Sequence, residues 1–247
     1  MHKHIIGSKH NKLTKMKKVL LFLCLIMIHS SFSQDRIYIA AELEGGFLIT
    51  HYKSQSPSLS SIVNEEEKNH NIKISASVIL EWDNKMSFET GIAQNMRQWN
   101  ILGKKPNSTL EVKQTQYYPS VFAGGYYDIP FNASNTNLRF YIGSKLSADF
   151  LNYNSLNKTD GTDLDNVNSV TEESNKFAFN VIPEIGIKGR FKNGNIWLFG
   201  IKYCHPLSKN ILNGYIKHNL NKVTQEQIDY HSTGQIFALS FKYGFSI

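Results

Sequence analysis

The chain has 247 residues, 41% of them hydrophobic and 19% charged, with a formal net charge of +7 and two cysteines. That aliphatic and aromatic content excludes a disordered chain and the cysteine count excludes a disulfide scaffold, so an ordered chain of one domain, at most two, is expected. A slightly negative mean hydropathy excludes a helical multispan protein.

The basic excess belongs to the N-terminus. Residues 1–33 hold Lys3, Lys9, Lys12, Lys15, Lys17 and Lys18 and no acid, while beyond them twenty-one Lys and Arg face twenty Asp and Glu. Met16-Lys17-Lys18 precedes an apolar run over residues 19–28, and Ser31-Phe32-Ser33 follows, with small residues at the two positions a signal peptidase reads. This is the pattern of a secretory signal peptide over residues 1–33, with Met16 the expected true start and residues 34–247 the exported domain. The run is too short to cross a bilayer, which needs roughly twenty residues. Once the positive excess leaves with the signal, nucleic acid as a partner loses its electrostatic motive. Cys24 would leave too, and Leu23 before it is not the small residue of a lipoprotein signal. Cys204 then stands alone, so no intrachain disulfide is expected.

Beyond the signal the sequence alternates, segment after segment, between apolar and polar residues, the period of a β-strand. Ile37, Ile39, Ala41, Leu43, Phe47 and Ile49 alternate with Tyr38, Glu42 and Glu44; Ile72, Ile74, Ala76, Val78, Leu80 and Trp82 with Lys73, Ser75, Ser77 and Glu81. Met86, Phe88, Ile92 and Met96 alternate with Ser87, Glu89, Asn95 and Arg97. Residues 112–127 are less decided, though Tyr117, Val121 and Tyr127 suggest odd positions as the apolar face. Leu138, Phe140, Ile142, Leu146 and Phe150 alternate with Arg139, Tyr141, Lys145, Ser147 and Asp149; Phe177, Phe179, Val181, Ile185 and Ile187 with Asn180, Glu184, Lys188 and Arg190. Trp197, Phe199, Ile201 and Tyr203 oppose Leu198, Gly200, Lys202 and Cys204, and Phe237, Leu239, Phe241, Tyr243, Phe245 and Ile247 oppose Ala238, Ser240, Lys242 and Gly244. Eight strands are predicted.

Connections alternate between long and short. Polar loops are predicted over residues 53–69, 100–110, 154–174 and 208–227, and short turns over 83–85, 128–136 and 192–194. In an up-and-down meander this puts every long loop at one end, the layout of an eight-stranded antiparallel transmembrane β-barrel with long extracellular loops and short periplasmic turns. A soluble lipocalin-type barrel is the competitor. It would line its interior with large aliphatics, whereas here the polar face carries Gly, Ser, Ala and both signs of charge. The opposite face is nearly free of charge and carries aromatics toward its ends, Trp82, Tyr127, Phe191, Trp197 and Tyr230, as lipid and its interfaces require.

Four stretches resemble a family: Phe140-Tyr141-Ile142-Gly143-Ser144-Lys145-Leu146, Pro183-Glu184-Ile185-Gly186-Ile187-Lys188-Gly189, Gly200-Ile201-Lys202-Tyr203 and Phe241-Lys242-Tyr243-Gly244-Phe245. They are similar to the outer-membrane β-barrel domain of Bacteroidota, the group that includes PorT-like proteins. The resemblance spans essentially all of residues 34–247 and implies the fold, an outer-membrane location and a place in an envelope protein complex such as a secretion or gliding machinery. It also implies a C-terminal aromatic strand read by the barrel-insertion machinery, although the chain ends in Ile247 rather than Phe.

The polar parity, turned inward, gathers Glu42, Glu44, Glu81, Glu89, Asp149 and Glu184 against Lys73, Arg97, Arg139, Lys145, Lys188, Arg190, Lys202 and Lys242. Eight strands enclose a space that side chains fill, and charges crowded there must pair to offset desolvation. A salt-bridged plug is expected, with Glu184 and Glu89 facing Arg97, Arg139 or Lys188; a narrow ion path is the alternative. Lys202→Ser on this face is expected to be tolerated.

No catalytic constellation is legible. His51, His205, His218 and His231 fall in no Ser-His-acid, HExxH or paired-Cys pattern, and Asp160-Gly161-Thr162-Asp163-Leu164-Asp165 lacks the positions of a calcium loop. The Glu65-Glu66-Glu67 run reads as a solvated loop tip, with divalent cations shared with lipopolysaccharide as the alternative, and Asn107-Ser108-Thr109 as an idle glycosylation acceptor. No cofactor or metal is therefore expected. The expected role is structural or loop-mediated binding, with outer-membrane lipid and lipopolysaccharide as surroundings. A secretion or gliding component and an outer-membrane hydrolase or acyltransferase are the alternatives.

Overall fold

A computed structural model describes residues 36–54, 69–82, 85–105, 108–132, 135–151, 167–172, 176–207, 212–219 and 225–247. The expected signal peptide with Met16, the Glu65-Glu66-Glu67 run, the acidic loop at Asp160 to Asp165 and Asn107 lie outside these residues.

Ten strands are present among the described residues: β1 (Arg36–Ser54), β2 (His70–Trp82), β3 (Met86–Lys105), β4 (Ser108–Asn132), β5 (Asn135–Phe150), β6 (Val167–Glu172), β7 (Phe177–Arg190), β8 (Ile196–Pro206), β9 (Leu212–Asn219) and β10 (Gln225–Ser246). Eight of them, all but β6 and β9, form a closed antiparallel barrel, because β10 pairs back onto β1 from Tyr38↔Ser246 to Phe47↔Phe237. Closure leaves no edge within the barrel wall, the condition for a sheet whose backbone groups sit in lipid.

The pairing register fixes the stagger. The row of partners that leaves β1 at Gly46 passes through Ala238, Lys202, Glu184, Gly143, Tyr126, Ser87 and Glu81 and returns to β1 at Arg36, ten residues lower. For eight strands that shear tilts them by about 40° and leaves an interior only wide enough for side chains.

The predicted parity holds around the wall. Ile39, Leu43, Ile74, Val78, Ile92, Val121, Ile142, Leu146, Ile185, Ile201 and Leu239 are exposed outward and form an aliphatic belt. Aromatic rings border it on both sides. At the turn end are Trp82, Tyr127, Phe191, Phe245 and the tilted pair Phe131 and Phe140, 3.9 Å between centroids; at the other end are Phe47, Tyr117, Phe179 and the edge-on pair Phe150 and Phe177, 5.5 Å apart. Trp197 is half-buried at the turn end, and the Tyr230 side chain lies outside the described residues.

One turn is tighter than expected, and three of the predicted loops carry strand among the described residues. β4 and β5 approach until Asn132 pairs with Asn135, so the nine-residue connection predicted at 128–136 is a tight turn. At the third short turn, Asn193 Oδ1 accepts from Asn195 N and Gly194 takes φ +89°, a conformation a Cβ would strain. At the opposite end, residues 100–110 are the tip of a β3–β4 hairpin paired up to Lys105↔Ser108 rather than a loop. The segments 154–174 and 208–227 hold β6 and β9. β9 pairs with β10 above the point where β8 ends, and β6 pairs with β9. Their sequences keep no sustained apolar–polar alternation, as fits strands paired beyond the aromatic border.

Candidate functional site, the charged lumen

All fourteen charged residues singled out on the polar parity lie on barrel strands with side chains turned inward, and the shear sorts them by height into three tiers. Thirteen are buried, and the Arg190 side chain is 15% exposed near the turn end.

In the tier at the turn end, the two oxygens of Glu81 accept from Arg190 Nη2 at 2.6 and 2.5 Å, one of them also from Tyr38 Oη at 2.8 Å and the other from Lys188 Nζ at 3.5 Å. Lys188 also donates to Asp128 Oδ2 at 2.5 Å and to Ser87 Oγ at 3.1 Å. Arg139 is buried at the same height. Sequence reasoning missed Asp128, which had been placed in a turn. Carrying the even parity of β4 on from Tyr118 and Tyr126 would have found it.

The middle tier is a knot of three carboxylates and three ammonium groups. Lys145 Nζ lies 2.9 Å from Glu89, 3.3 Å from Glu184 and 3.9 Å from Glu42. Lys202 pairs with Glu42, lies 3.2 Å from Glu44 and 3.8 Å from Glu184; Lys242 lies 2.7 Å from Glu89 and 3.7 Å from Glu42. Hydroxyls take up remaining lone pairs: Ser75 donates to Glu42 at 3.1 Å, Ser77 to Glu89 at 2.7 Å, Tyr141 to Glu184 at 2.6 Å, and Tyr126 to both Glu89 and Glu184. Gly186 and Gly200, paired across β7 and β8, make room for Tyr141: a Cβ on Gly200 would stand 2.2 Å from its Oη.

In the outer tier, Glu44 meets Lys73 at 3.6 Å and Arg97 meets Asp149 at 3.2 Å, the Arg97 guanidinium lying 4.6 Å from the centre of the Tyr118 ring. Asn95 donates to Ser120 at 2.9 Å and Asn180 to Ser147 at 2.9 Å.

Glu89 and Glu184 therefore meet Lys145, Lys202 and Lys242 rather than Arg97, Arg139 or Lys188. Parity chooses the face and shear chooses the height: Arg97 stands eight residues above Glu89 on β3, and Lys188 four residues below Glu184 on β7. The contacts also reverse the expectation for Lys202→Ser, since Lys202 touches three buried carboxylates. A buried ion is tolerated when paired and hydrogen-bonded on all sides, and stripping one partner is costly. With the charges nearly matched and the space filled by Tyr38, Tyr118, Phe122, Tyr126 and Tyr141, the lumen is packed like a protein core.

Cys204 is buried on the same inner face. Among the described residues no group of three or more His, Cys, Asp or Glu is placed to hold a metal ion. The side chains of His51, His218 and His231 lie outside the described residues, while His205 faces outward.

Among solved structures, the outer membrane protein OprG from Pseudomonas aeruginosa is similar at 11% identity, with 85% of this chain and 95% of that chain covered and a TM-score of 0.49. The translocator domain of the autotransporter NalP from Neisseria meningitidis matches at 10% identity over 97% and 98% of the two chains, with a TM-score of 0.37. Ail, the attachment invasion locus protein of Yersinia pestis, matches at 13% identity over 84% and 99%, with a TM-score of 0.24. No curated protein matches the chain. The family model described as outer membrane protein beta-barrel domain matches residues 32–212, most of the barrel wall. A closed eight-stranded wall, a lipid-facing aliphatic belt between aromatic borders and that match together make this chain an outer-membrane β-barrel, a member of the outer membrane protein beta-barrel domain family.

Proposed function

We propose that this protein is a plugged outer-membrane barrel, without catalytic or conducting activity, whose role is structural or binding and is exercised at its long-loop end. The observation that carries the reading is the middle tier, where Lys145, Lys202 and Lys242 are each shared between two or three of Glu42, Glu44, Glu89 and Glu184 across the lumen. An ion passing along the axis would have to part these pairs. The β3–β4 hairpin and the β1, β10, β9 and β6 extension rise beyond the outer aromatic border, where lipopolysaccharide and partner proteins are met. Delivery through a cleaved signal peptide is part of the proposal; it is supported by the apolar run at residues 19–28 and by a family match that begins at residue 32.

Recordings from purified protein in planar bilayers test the plug. No steady conductance is expected, and a stable open pore would overturn it. A second reading, a component of a secretion or gliding machinery of the PorT-like kind, is favoured by the four stretches that resemble that group. Co-purification with an envelope complex from native membranes would support it, and isolation as a free barrel would count against it.

A further inference from the structure

Beyond the outer aromatic border the closure of the barrel continues as a ladder between its first and last strands. β2 starts at His70, opposite Phe47, so past Leu48 the strand that pairs with β1 among the described residues is β10. The register shifts between Leu48 and Thr50, and Gly234, in the shifted part of β10, takes φ +76°. Pairing then resumes as Thr50↔Ser232, His51↔His231, Tyr52↔Tyr230, Lys53↔Asp229 and Ser54↔Ile228. With no wall strand on the β2 side among the described residues, these rungs are held by what β1 and β10 themselves carry.

Directly opposed residues of an antiparallel pair share a face, with Cβ atoms about 4.5–5.5 Å apart, so the residue types on each rung decide how it is held. Three rungs carry matches that sheets use generally: two hydroxyl residues at 50 and 232, two aromatic residues at 52 and 230, and opposite charges at 53 and 229. The rung of His51 and His231 carries none of these. Two protonated imidazoles repel, and two neutral ones share a single hydrogen bond at most. A divalent transition-metal ion instead takes one ring nitrogen from each, at about 2.0–2.1 Å for zinc. Imidazole suits zinc, copper and nickel, whereas magnesium and calcium seek oxygen.

The neighbouring positions accept a dication. Alternation along β1 places His51 on the face of Phe47, the outer one, four residues further from the membrane. The next rung on that face is Lys53 and Asp229, whose charges cancel. On the other side of β10 the row of His231 continues through Asn213 on β9 to Glu172 on β6, an amide and an acid rather than a cation.

We propose that His51 and His231 form a two-histidine site for a divalent transition-metal ion of the zinc class, with water in the remaining coordination positions. The ion clamps the first strand of the barrel to the last outside the membrane. The site is independent of the plug, and a conducting lumen would leave it unchanged.

Isothermal titration of the purified, tag-free barrel with Zn²⁺ tests the site, with Mg²⁺ as the comparison ion. Saturable binding of one Zn²⁺ per barrel is expected, without binding of Mg²⁺ at the same concentrations. His51→Ala and His231→Ala should each weaken Zn²⁺ binding at least about tenfold, while His70→Ala, His205→Ala and His218→Ala leave it unchanged. The heat-modifiable gel shift of each variant should match wild type; where an alanine variant loses it, glutamine at the same position takes its place under the same criterion. Electron paramagnetic resonance of the barrel loaded with Cu²⁺ gives a second readout, with coupling to two imidazole nitrogens expected in wild type and to one in either variant. Absence of saturable Zn²⁺ binding, binding that survives loss of either His51 or His231, or binding that falls equally on loss of one of the other three histidines overturns the site.

Discussion

Lys242 Nζ on the last strand lies 2.7 Å from Glu89 on β3, although β1 and β2 stand between them in the wall. The contact spans the lumen. Ion pairs of this kind join strands that share no backbone hydrogen bonds, so they cross-link the barrel through its axis as the sheet links it around its circumference. Lys145, on β5, forms an ion pair with the same Glu89, so cations from two other strands converge on one carboxylate.

The first prediction follows from that pair. Lys242→Met leaves Glu89 with Lys145, Ser77 and Tyr126 but without its closest ammonium, and Glu89→Gln leaves Lys242 with the Tyr126 hydroxyl at 3.1 Å and, as carboxylate, Glu42 at 3.7 Å. Each single change should lower stability by about 3 kcal/mol, and the double variant should lose less than the sum. Urea unfolding in detergent micelles reads both quantities. Strict additivity would show that the two groups do not interact.

The lipid face gives the second. Phe199 and Leu239 point outward within the belt, and Phe241, on the same face of β10 as Leu239, pairs with Phe199 on β8. Phe199→Arg or Leu239→Arg should impair membrane assembly at a cost of about 2–4 kcal/mol near the midplane. Ser240→Ala, one residue from Leu239 but facing inward, should assemble normally. Heat-modifiable gel mobility after assembly compares the three, and equal behaviour would contradict the assigned faces.

How much of this was legible in the sequence depends on whether lipid was there to write it. Along β10, lipid on one side and a charged lumen on the other enforce the alternation from Phe237 to Phe245, so face and strand could be read directly. Val167-Asn168-Ser169-Val170-Thr171-Glu172 and Leu212-Asn213-Gly214-Tyr215-Ile216-Lys217-His218-Asn219 lie above the outer border, with no such pressure, and left no period. Asp128 was missed for a different reason. Its strand runs to Asn132, and the Asp-Ile-Pro-Phe-Asn sequence has the chemistry of a turn although the first of these residues faces the lumen. Parity could not supply partners either, since pairing across the lumen depends on a ten-residue shear that becomes visible only when all eight pairings are known together.

The third prediction concerns the room made for Tyr141. Gly200 stands where a Cβ would meet Tyr141 Oη at 2.2 Å and Glu184 Oε1 at 2.9 Å. Gly200→Val should force the ring from its place and break the 2.6 Å bond to Glu184, lowering stability by about 1–3 kcal/mol through overpacking, with the lost hydrogen bond in addition. In the Tyr141→Phe background, which has already lost that bond and the crowded hydroxyl, the same glycine change should cost less. Urea unfolding of the two single variants and the double variant checks this, and an undiminished cost would place the strain elsewhere.

The last prediction ranks two acids of the turn-end tier. Glu81 accepts from Arg190, Lys188 and Tyr38, whereas Asp128 accepts from Lys188, which also lies 3.5 Å from Glu81. Asp128→Asn keeps the size of the side chain and leaves Lys188 a carboxylate and the Ser87 hydroxyl, so its cost should be modest, about 1–2 kcal/mol. Glu81→Gln removes the charge from beneath two cations at once: Lys188 keeps Asp128, but Arg190 is left against a neutral amide and Tyr38 loses a charged acceptor, which should cost about 3 kcal/mol. Both residues are buried near the same turns, so a difference between them cannot come from depth or packing volume alone. Urea midpoints for the two variants, measured under one set of conditions, should fall in the order wild type, Asp128→Asn, Glu81→Gln. The reverse order would mean that Asp128, and not Glu81, organises the cations at the turn end of the barrel.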